Sequence, residues 1–222
     1  HEGLMQLLVE LAVQQAPQFG PQDVSNLAWA AARLRWRDDA LMVAMWSAAE
    51  PQLAGFTAQG LSNLVWALGE LGVAASIRDI ALPPTAARLQ ALLPTCPPQA
   101  MCNFLQGAAK LEWRGRAADE LFSSVQSHVL AQAASGALAR WPAQALCTLL
   151  WAFAVVRQPP RPDLARAVSL ALVTSSAAAG SASAAATGGC AAPHAGARLL
   201  GGLPPSQAAA HARLETSCGP NC

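Results

Sequence analysis

Apolar residues recur along this chain with the spacing of an amphipathic helix. Between residues 24 and 34 they fall at Val24, Leu27, Ala28, Ala31 and Leu34. A spacing of three and four residues places them on one face of a helix and does not fit the alternation of a strand. Strand-forming residues are sparse and Tyr is missing altogether, so the chain is predicted to be all-α.

The same helix recurs along the chain. Its copies align on a column that holds Asn26, Asn63, Asn103 and, in the fourth copy, Thr148. A Gln four residues earlier and an aliphatic residue eight residues later align in every copy, and a Trp three residues later aligns in all copies but the third, which has Gln106. Successive copies are 37, 40 and 45 residues apart, so the unit has roughly 40 residues. Periods of this size indicate stacked supersecondary units.

A second helix is predicted in each unit. These helices are expected at residues 39–48, 85–93, 119–133 and 163–173, and residues 1–15 resemble the second helix of an earlier unit. Pro21, Pro98 and Pro142 precede first helices, where a fixed φ and a missing N–H suit a helix start. The prediction is an α-solenoid of helix-turn-helix repeats over residues 1–173, with an incomplete first unit and a solenoid that starts before this chain does.

The composition changes after residue 173. Residues 174–202 are dominated by Ala, Ser and Gly, which bury too little apolar surface to offset chain entropy, so a flexible linker is predicted. In residues 203–222, Pro204, Pro205 and Gln207 imitate the start of a unit. Both a degenerate fifth repeat and a disordered tail remain open for this segment.

Small and aromatic columns are assigned to the core. The residue before the Asn column is always small, which predicts a close approach of helix backbones there, at Ser25, Ser62, Cys102 and Cys147. Free Cys usually packs as a small apolar residue, and the chain has no C-x-x-C pair, so no metal site, disulfide framework or cofactor is expected. The Trp column is also predicted to be buried, at Trp29, Trp66 and Trp151.

The distribution of charge suggests a polyanion partner. The net charge is only +1, so there is no global basic field. Cations nevertheless cluster after the first helices, at Arg33, Arg35, Arg37, Lys110, Arg114, Arg116, Arg157 and Arg161. Stacked units would line them along one edge, where the phosphates of RNA could follow them, although the second unit leaves a gap. The alternative is that they are solvated cations stabilised by helix C-termini.

Other columns are candidates for base contacts. Trp36 and Trp113 occupy one repeat position beside an Arg, where they either stack on a base or anchor the contact between units. Asn26, Asn63 and Asn103 either face the ligand or bridge units. Since they are identical, they cannot discriminate bases. Any code would lie in two columns that vary, namely Arg33, Glu70, Lys110 and Val155, and Arg35, Gly72, Glu112 and Arg157.

Signals of catalysis and of a membrane are weak. The chain has no glycine-rich phosphate loop, no nucleophile elbow and no H-E-x-x-H motif, and His128 stands alone on a predicted helix. The longest apolar stretch, residues 145–156, is shorter than the roughly 20 residues that span a bilayer. We therefore expect neither an enzyme nor a membrane protein.

The unit resembles a known repeat. The pattern Pro-Gln-x-x-Ser-Asn-Leu-x-Trp-Ala-x-x-x-Leu, seen in residues 21–34 and in most positions of 58–71, is similar to the octotricopeptide repeat (OPR) of green-algal organellar proteins. That family is related to the leucine-rich helical region of FAST-kinase-like proteins. The resemblance covers residues 1–173 and weakens in the third unit at Gln106. One Lys against thirteen Arg also resembles a GC-rich algal coding bias.

The resemblance implies a function and a location. It implies a protein of the chloroplast stroma or mitochondrial matrix that binds single-stranded RNA, with ribonucleoprotein partners, and acts in transcript stability, processing or translation. It equally admits a structural subunit of an organellar ribosome. Some members end in a nuclease-like domain, but residues 175–222 match none, so cleavage is not implied. The rival class is a protein-interaction scaffold of HEAT or armadillo type, which the near-neutral charge suits.

Overall fold

The computed structural model describes the backbone of residues 2–187 and the side chains of residues 3–175. Every regular element in this part of the chain is helical, which confirms the predicted all-α class. The α-helices are α1 (Glu2–Gln15), α2 (Pro21–Arg33), α3 (Asp39–Ala49), α4 (Ala58–Leu71), α5 (Ala75–Leu92), α6 (Pro98–Lys110), α7 (Arg116–Ala134), α8 (Ala143–Val155) and α9 (Pro162–Thr187). Short 3-10 turns join several of them.

The helices pack in two rows. In the first row α4 lies between α2 and α6, and α6 lies between α4 and α8. In the second row α3 lies between α1 and α5, and α5 contacts α7. The first row therefore holds the four helices that carry the repeated motif, and the second row holds α1, α3, α5 and α7.

Two of the second helices differ from the sequence prediction. α5 begins at Ala75 rather than at residue 85 and runs through Pro83 and Pro84. Each proline removes a hydrogen bond to the carbonyl four residues earlier, which belongs to Asp79 or Ile80. Both of those residues lie on the exposed side of the helix, where water can replace the lost donor.

The last helix also runs further than predicted. α9 continues to Thr187, into the segment assigned to a linker that starts at residue 174. The segment is rich in Ala, the strongest helix former, and this explains why a composition that buries little can still be helical. The remainder of the predicted linker, residues 188–202, and the predicted tail, residues 203–222, lie outside the described residues.

Local signals start the helices as expected. Pro21 and Pro98 are the first residues of α2 and α6, and Pro142 is the N-cap of α8. At the start of α3, Oδ1 of Asp38 accepts a hydrogen bond from the Leu41 N–H at 2.8 Å, which satisfies one of the orphan donors of the first turn.

The tightest helix contact lies between α4 and α6. A Cβ added to Gly107 would lie 2.3 Å from the carbonyl oxygen of Val65, and one added to Gly69 would lie 2.6 Å from the Gly107 Cα. Next along the row, the Cys102 Sγ lies 3.1 Å from the Ala145 carbonyl oxygen on α8. The small column therefore marks a close approach at Cys102, and it is buried at Ser25, Ser62 and Cys102. Cys147 is exposed, so the prediction of close packing is wrong there.

Candidate nucleic-acid interface

One face of the first row is exposed along all four helices. On each helix, the residues of this face are spaced i, i+4, i+7 and i+11, which places them on one side of that helix. We call this surface the grid face. It consists of Gln22, Asn26, Trp29 and Arg33 on α2; Gln59, Asn63, Trp66 and Glu70 on α4; Gln99, Asn103, Gln106 and Lys110 on α6; and Gln144, Thr148, Trp151 and Val155 on α8, all exposed or half-buried.

Amide pairs occupy the first two columns of the grid face. The Gln59 Nε2 donates to the Asn63 Oδ1 at 2.8 Å, and Gln99 and Asn103 repeat the bond at the same distance. This bond engages the oxygen of each Asn and not its NH2 group. A primary amide has two donor hydrogens, so both remain available to a ligand.

The prediction that the Trp column lies in the core is wrong for Trp29 and Trp151, whereas Trp66 packs against the core. Trp29 is 45% exposed, Trp151 is 41% exposed and Trp66 is half-buried. The reason is helical phase: Trp29 follows Gln22 by seven residues and Asn26 by three, so it shares their polar face rather than the stripe that contains Val24 and Ala28. The seven-residue spacing between Gln22 and Trp29 was the sequence signal that could have placed Trp29 on the surface.

Trp36 and Trp113, for which base stacking was one of two predicted roles, pack against the core. Trp113 is only 4% exposed, and Trp36 is half-buried against the core. A base needs a free indole face to stack on, so the structure contradicts the prediction of base stacking at Trp113 and favours the anchoring alternative for both residues. The exposed aromatic residues of the first row are instead Trp29 and Trp151, and Trp66 is half-buried.

The predicted cations are all exposed, but half of them have a carboxylate partner. The pairs are Arg37 with Asp39 at 3.5 Å, Lys110 with Glu70 at 2.5 Å, Arg116 with Glu120 at 2.7 Å and Arg161 with Asp163 at 2.7 Å. Each partner cancels part of the positive field that a phosphate would feel. Among the described residues, no such pair holds the other four predicted cations, which are Arg33, Arg35, Arg114 and Arg157.

An arginine cleft lies where α2 and α4 end. Arg33, Arg35 and Arg37 line it together with Trp66 and Glu70, and it encloses about 690 Å³. The guanidinium carbon of Arg33 also lies 5.7 Å from the centre of the Trp29 ring, within range of a cation–π contact. The cleft thus combines aromatic surface with positive charge.

A second cleft lies at the other end of the same two helices. It encloses about 500 Å³, and the amides of Gln22, Asn26, Gln59 and Asn63 line it. Along α2 and α4 the grid face therefore carries amide side chains at one end, Trp29 and Trp66 in the middle and guanidinium groups at the other end.

One of the two columns proposed to carry a code has a backbone role. Arg35, Gly72, Glu112 and Arg157 all have positive φ, between 51° and 61°. Each follows a first helix, and in the first, third and fourth units it lies in a Schellman turn; in the first unit, Trp36 N–H donates to the Ala31 carbonyl and Arg35 N–H to the Ala32 carbonyl. The glycine in this column was the sequence signal for a left-handed turn.

The described residues offer little catalytic chemistry. They contain no group of three or more His, Cys, Asp or Glu side chains placed to hold a metal ion. Burial raises the pKa of the Cys96 thiol to about 11 and that of Cys102 to about 12, so both remain protonated and poorly nucleophilic near neutral pH. Across the helices of residues 2–187, none is long and apolar enough to cross a membrane.

Comparison with known proteins supplies no family for this chain. It matches no model of a known protein family and no curated protein.

Proposed function

We propose that this chain is an RNA-binding α-solenoid whose grid face holds single-stranded RNA. One observation carries the proposal: Trp residues recur at the same position of α2, α4 and α8, exposed at Trp29 and Trp151 and half-buried at Trp66, and on α2 and α4 they lie between amide side chains and the arginine cleft. Large apolar rings are normally buried, so a repeated exposed Trp favours a ligand with flat faces.

The solenoid part of the proposal rests on the packing of the rows. Each first helix contacts the next first helix, and each second helix from α1 to α7 contacts the next second helix. Such nearest-neighbour stacking is typical of repeat proteins and leaves one continuous face per row. A strand of RNA that follows this face would pass one Trp or Gln per unit.

The phosphate contacts are assigned to the cations without an ion pair. Arg33 and Arg35 flank the arginine cleft, and Arg114 and Arg157 occur after the third and fourth first helices. Their charge is not compensated locally, so phosphate oxygens would gain more from them than from Arg116 or Arg161. The resemblance to the OPR family extends the proposal to an organellar transcript or ribosomal RNA as the ligand, and to the chloroplast stroma or mitochondrial matrix as the location.

The binding of single-stranded RNA by the purified protein, followed by fluorescence anisotropy at several salt concentrations, tests this proposal. The double substitution Arg33→Ala with Arg35→Ala should weaken the binding of all sequences and reduce the slope of log K against log salt by about 1.4, because each lost phosphate contact contributes about 0.7. The matched control is Arg116→Ala with Arg161→Ala, which removes the same charge but should change the slope less.

A second set of substitutions tests whether the Trp column stacks on bases. Trp29→Ala with Trp66→Ala should reduce the affinity by about 5- to 150-fold for each stacked base, since stacking contributes about 1–3 kcal/mol per base. Val43→Ala with Ile80→Ala is the control, since both residues are exposed apolar side chains of the second row. Circular dichroism must show that all variants are folded. If the folded wild-type protein binds no RNA, the proposal is wrong.

A protein-interaction scaffold is the second candidate, and the ion pairs favour it. Four of the eight predicted cations have a carboxylate within 4.0 Å, and the net charge is +1. A structural subunit of an organellar ribosome is one example of this class. Amides and half-exposed Trp residues suit a protein partner as well. The affinity for such a partner, measured at high salt, should not change when the arginines are substituted.

A further inference from the structure

Among the described residues of the grid face, only Glu70 carries a negative charge. Its equivalents in the other units are Arg33, Lys110 and Val155. A carboxylate repels the phosphates of RNA, so on a face that holds RNA it is unfavourable unless it contacts a hydrogen-bond donor of the ligand. Glu70 is therefore the position of the grid face that restricts the chemistry of the ligand most.

Glu70 shares the arginine cleft with an aromatic ring. Trp66 lines the cleft one turn earlier on α4, and Arg33 and Arg35 line it from the end of α2. Residues four apart on a helix are neighbours, so the carboxylate lies beside the indole. The cleft encloses about 690 Å³, a volume typical of sites that hold small molecules, so it can take one base together with its phosphate.

The second unit is the only described unit that places an acceptor beside a Trp of the grid face. In the first unit the guanidinium of Arg33 lies over the ring of Trp29, 5.7 Å from its centre. In the fourth unit Trp151 is followed one turn later by Val155, which has no polar group, and the third unit has no Trp in this column. A base stacked on Trp66 would therefore meet an acceptor, whereas a base stacked on Trp29 or Trp151 would not.

An ion pair holds the Glu70 carboxylate in place. The Nζ of Lys110 on α6 donates to the Oε1 of Glu70 at 2.5 Å, and the Glu70 side chain is only 26% exposed. An ionised carboxylate has roughly four acceptor sites and no donor, and the bond from Lys110 uses one of them. The other oxygen, Oε2, and the remaining site of Oε1 can accept two donors that lie side by side.

We propose that the arginine cleft is specific for guanine in single-stranded RNA, with the base stacked on Trp66 and its N1–H and N2–H2 groups donating to the Glu70 carboxylate. Guanine is the one RNA base with two adjacent donors on its Watson–Crick edge, and single strands leave that edge free. Adenine and cytosine have an acceptor beside their amino group, and uracil has carbonyls on both sides of its N–H. Arg33 and Arg35 would contact the phosphate. This inference rests on the proposed function and adds the identity of one base to it.

Fluorescence anisotropy with uridine oligonucleotides of equal length that carry a single G, A or C tests the inference. The wild-type protein should bind the G oligonucleotide about 5- to 150-fold more tightly than the others, which is the range of one bidentate base contact. Glu70→Gln should lose this preference, because an amide presents one acceptor and one donor group. Its affinity for the all-uridine oligonucleotide should not decrease, since a repulsive charge is removed, and this binding also shows that the variant is folded.

Glu112→Gln is the matched control. Glu112 is exposed just after α6 and does not line the arginine cleft, so the variant loses the same charge but should keep the full preference for guanine.

Modified bases identify the edge that is read. Inosine lacks the N2 amino group and should lose most of the preference, whereas 7-deazaguanine retains N1–H and N2–H2 and should bind like guanine. Arginine usually contacts guanine at O6 and N7, so a loss of affinity with 7-deazaguanine would assign the preference to Arg33 or Arg35 and overturn the role of Glu70.

Guanosine monophosphate offers the same base and phosphate without a strand. As a competitor it should bind at least about tenfold more weakly than the G oligonucleotide, because it lacks the contacts to the other units. Equal affinity would overturn the assignment to RNA. The inference also fails, while the proposed function stands, if the wild-type protein binds RNA without a preference for guanine or if Glu70→Gln retains the preference. If the folded wild-type protein binds no RNA, both are wrong.

Discussion

The close contact between α4 and α6, which we call the seam, and the side of α2 that carries Leu34, which we call its open flank, use the same repeat columns. These columns are buried in the seam and more exposed on the open flank. In the seam, Gly107 of α6 meets the backbone of α4, and Leu111, one turn further along α6, is 7% exposed. On α2 the equivalent positions are Ala30 and Leu34, and Leu34 is 64% exposed. A column therefore specifies what a residue is able to pack against, and the presence of a neighbouring helix decides whether it is buried.

The seam should be the most sensitive place in the molecule. We expect Gly107→Ala to reduce the free energy of unfolding by at least about 2 kcal/mol, because the added methyl group meets a backbone carbonyl that cannot rotate away. The Cβ would lie 2.3 Å from the Val65 oxygen. Urea denaturation followed by circular dichroism measures the effect.

Two other helical glycines serve as graded controls. A Cβ on Gly60 would lie 2.8 Å from the Ser25 Oγ, which belongs to a side chain that can move, so Gly60→Ala should cost less than Gly107→Ala. No atom lies within 4 Å of a Cβ on Gly3, so Gly3→Ala should cause no loss. Equal effects at Gly107 and Gly3 would mean that the α4–α6 contact is looser than described.

The Leu34 column tests the comparison directly. Leu71→Ala should destabilise the protein by about 2–4 kcal/mol, since it removes a buried side chain and leaves a cavity, whereas Leu34→Ala should change stability by no more than about 0.5 kcal/mol. Both measurements use chemical denaturation at a protein concentration where the chain is monomeric. A large loss at Leu34 under those conditions would show that the flank of α2 is covered within a single molecule.

Much of the fold was predictable because its signals are local. The apolar stripe around Val24 predicted a helix, and Pro21 and Pro98 marked helix starts that the structure confirms. The small residue before the Asn column predicted close helix contacts, which Ser25 and Cys102 make. Each of these signals depends on a few neighbouring residues and on the helical period.

Other features depend on contacts that no local pattern contains. The partner of Lys110 is Glu70, forty residues away on α4, so the ion pair that weakens the predicted cation stripe could not be found from either helix alone. The Trp column was misassigned for a different reason: large apolar residues are usually buried, and that rule outweighed the phase that Trp29 shares with Asn26. The sequence therefore predicted the exposed position of the Arg residues, left that of the Asn column open, and misplaced Trp29 and Trp151.

The smallest expected effects come from the turn that ends each first helix. This turn has positive φ in all four units, yet only the second unit uses glycine there, at Gly72. Replacing Arg35 or Glu112 by Gly should therefore raise the free energy of unfolding by up to about 1 kcal/mol, and Gly72→Ala should lower it by about 1 kcal/mol, because a Cβ strains the left-handed conformation. Arg33→Gly is the matched control: it makes the same chemical change two residues earlier, inside α2, where glycine is unfavourable by about 0.5–1 kcal/mol. Opposite signs at Arg35 and Arg33, measured by urea denaturation, would confirm that the column is defined by its backbone, whereas a loss of stability at both would contradict the turn.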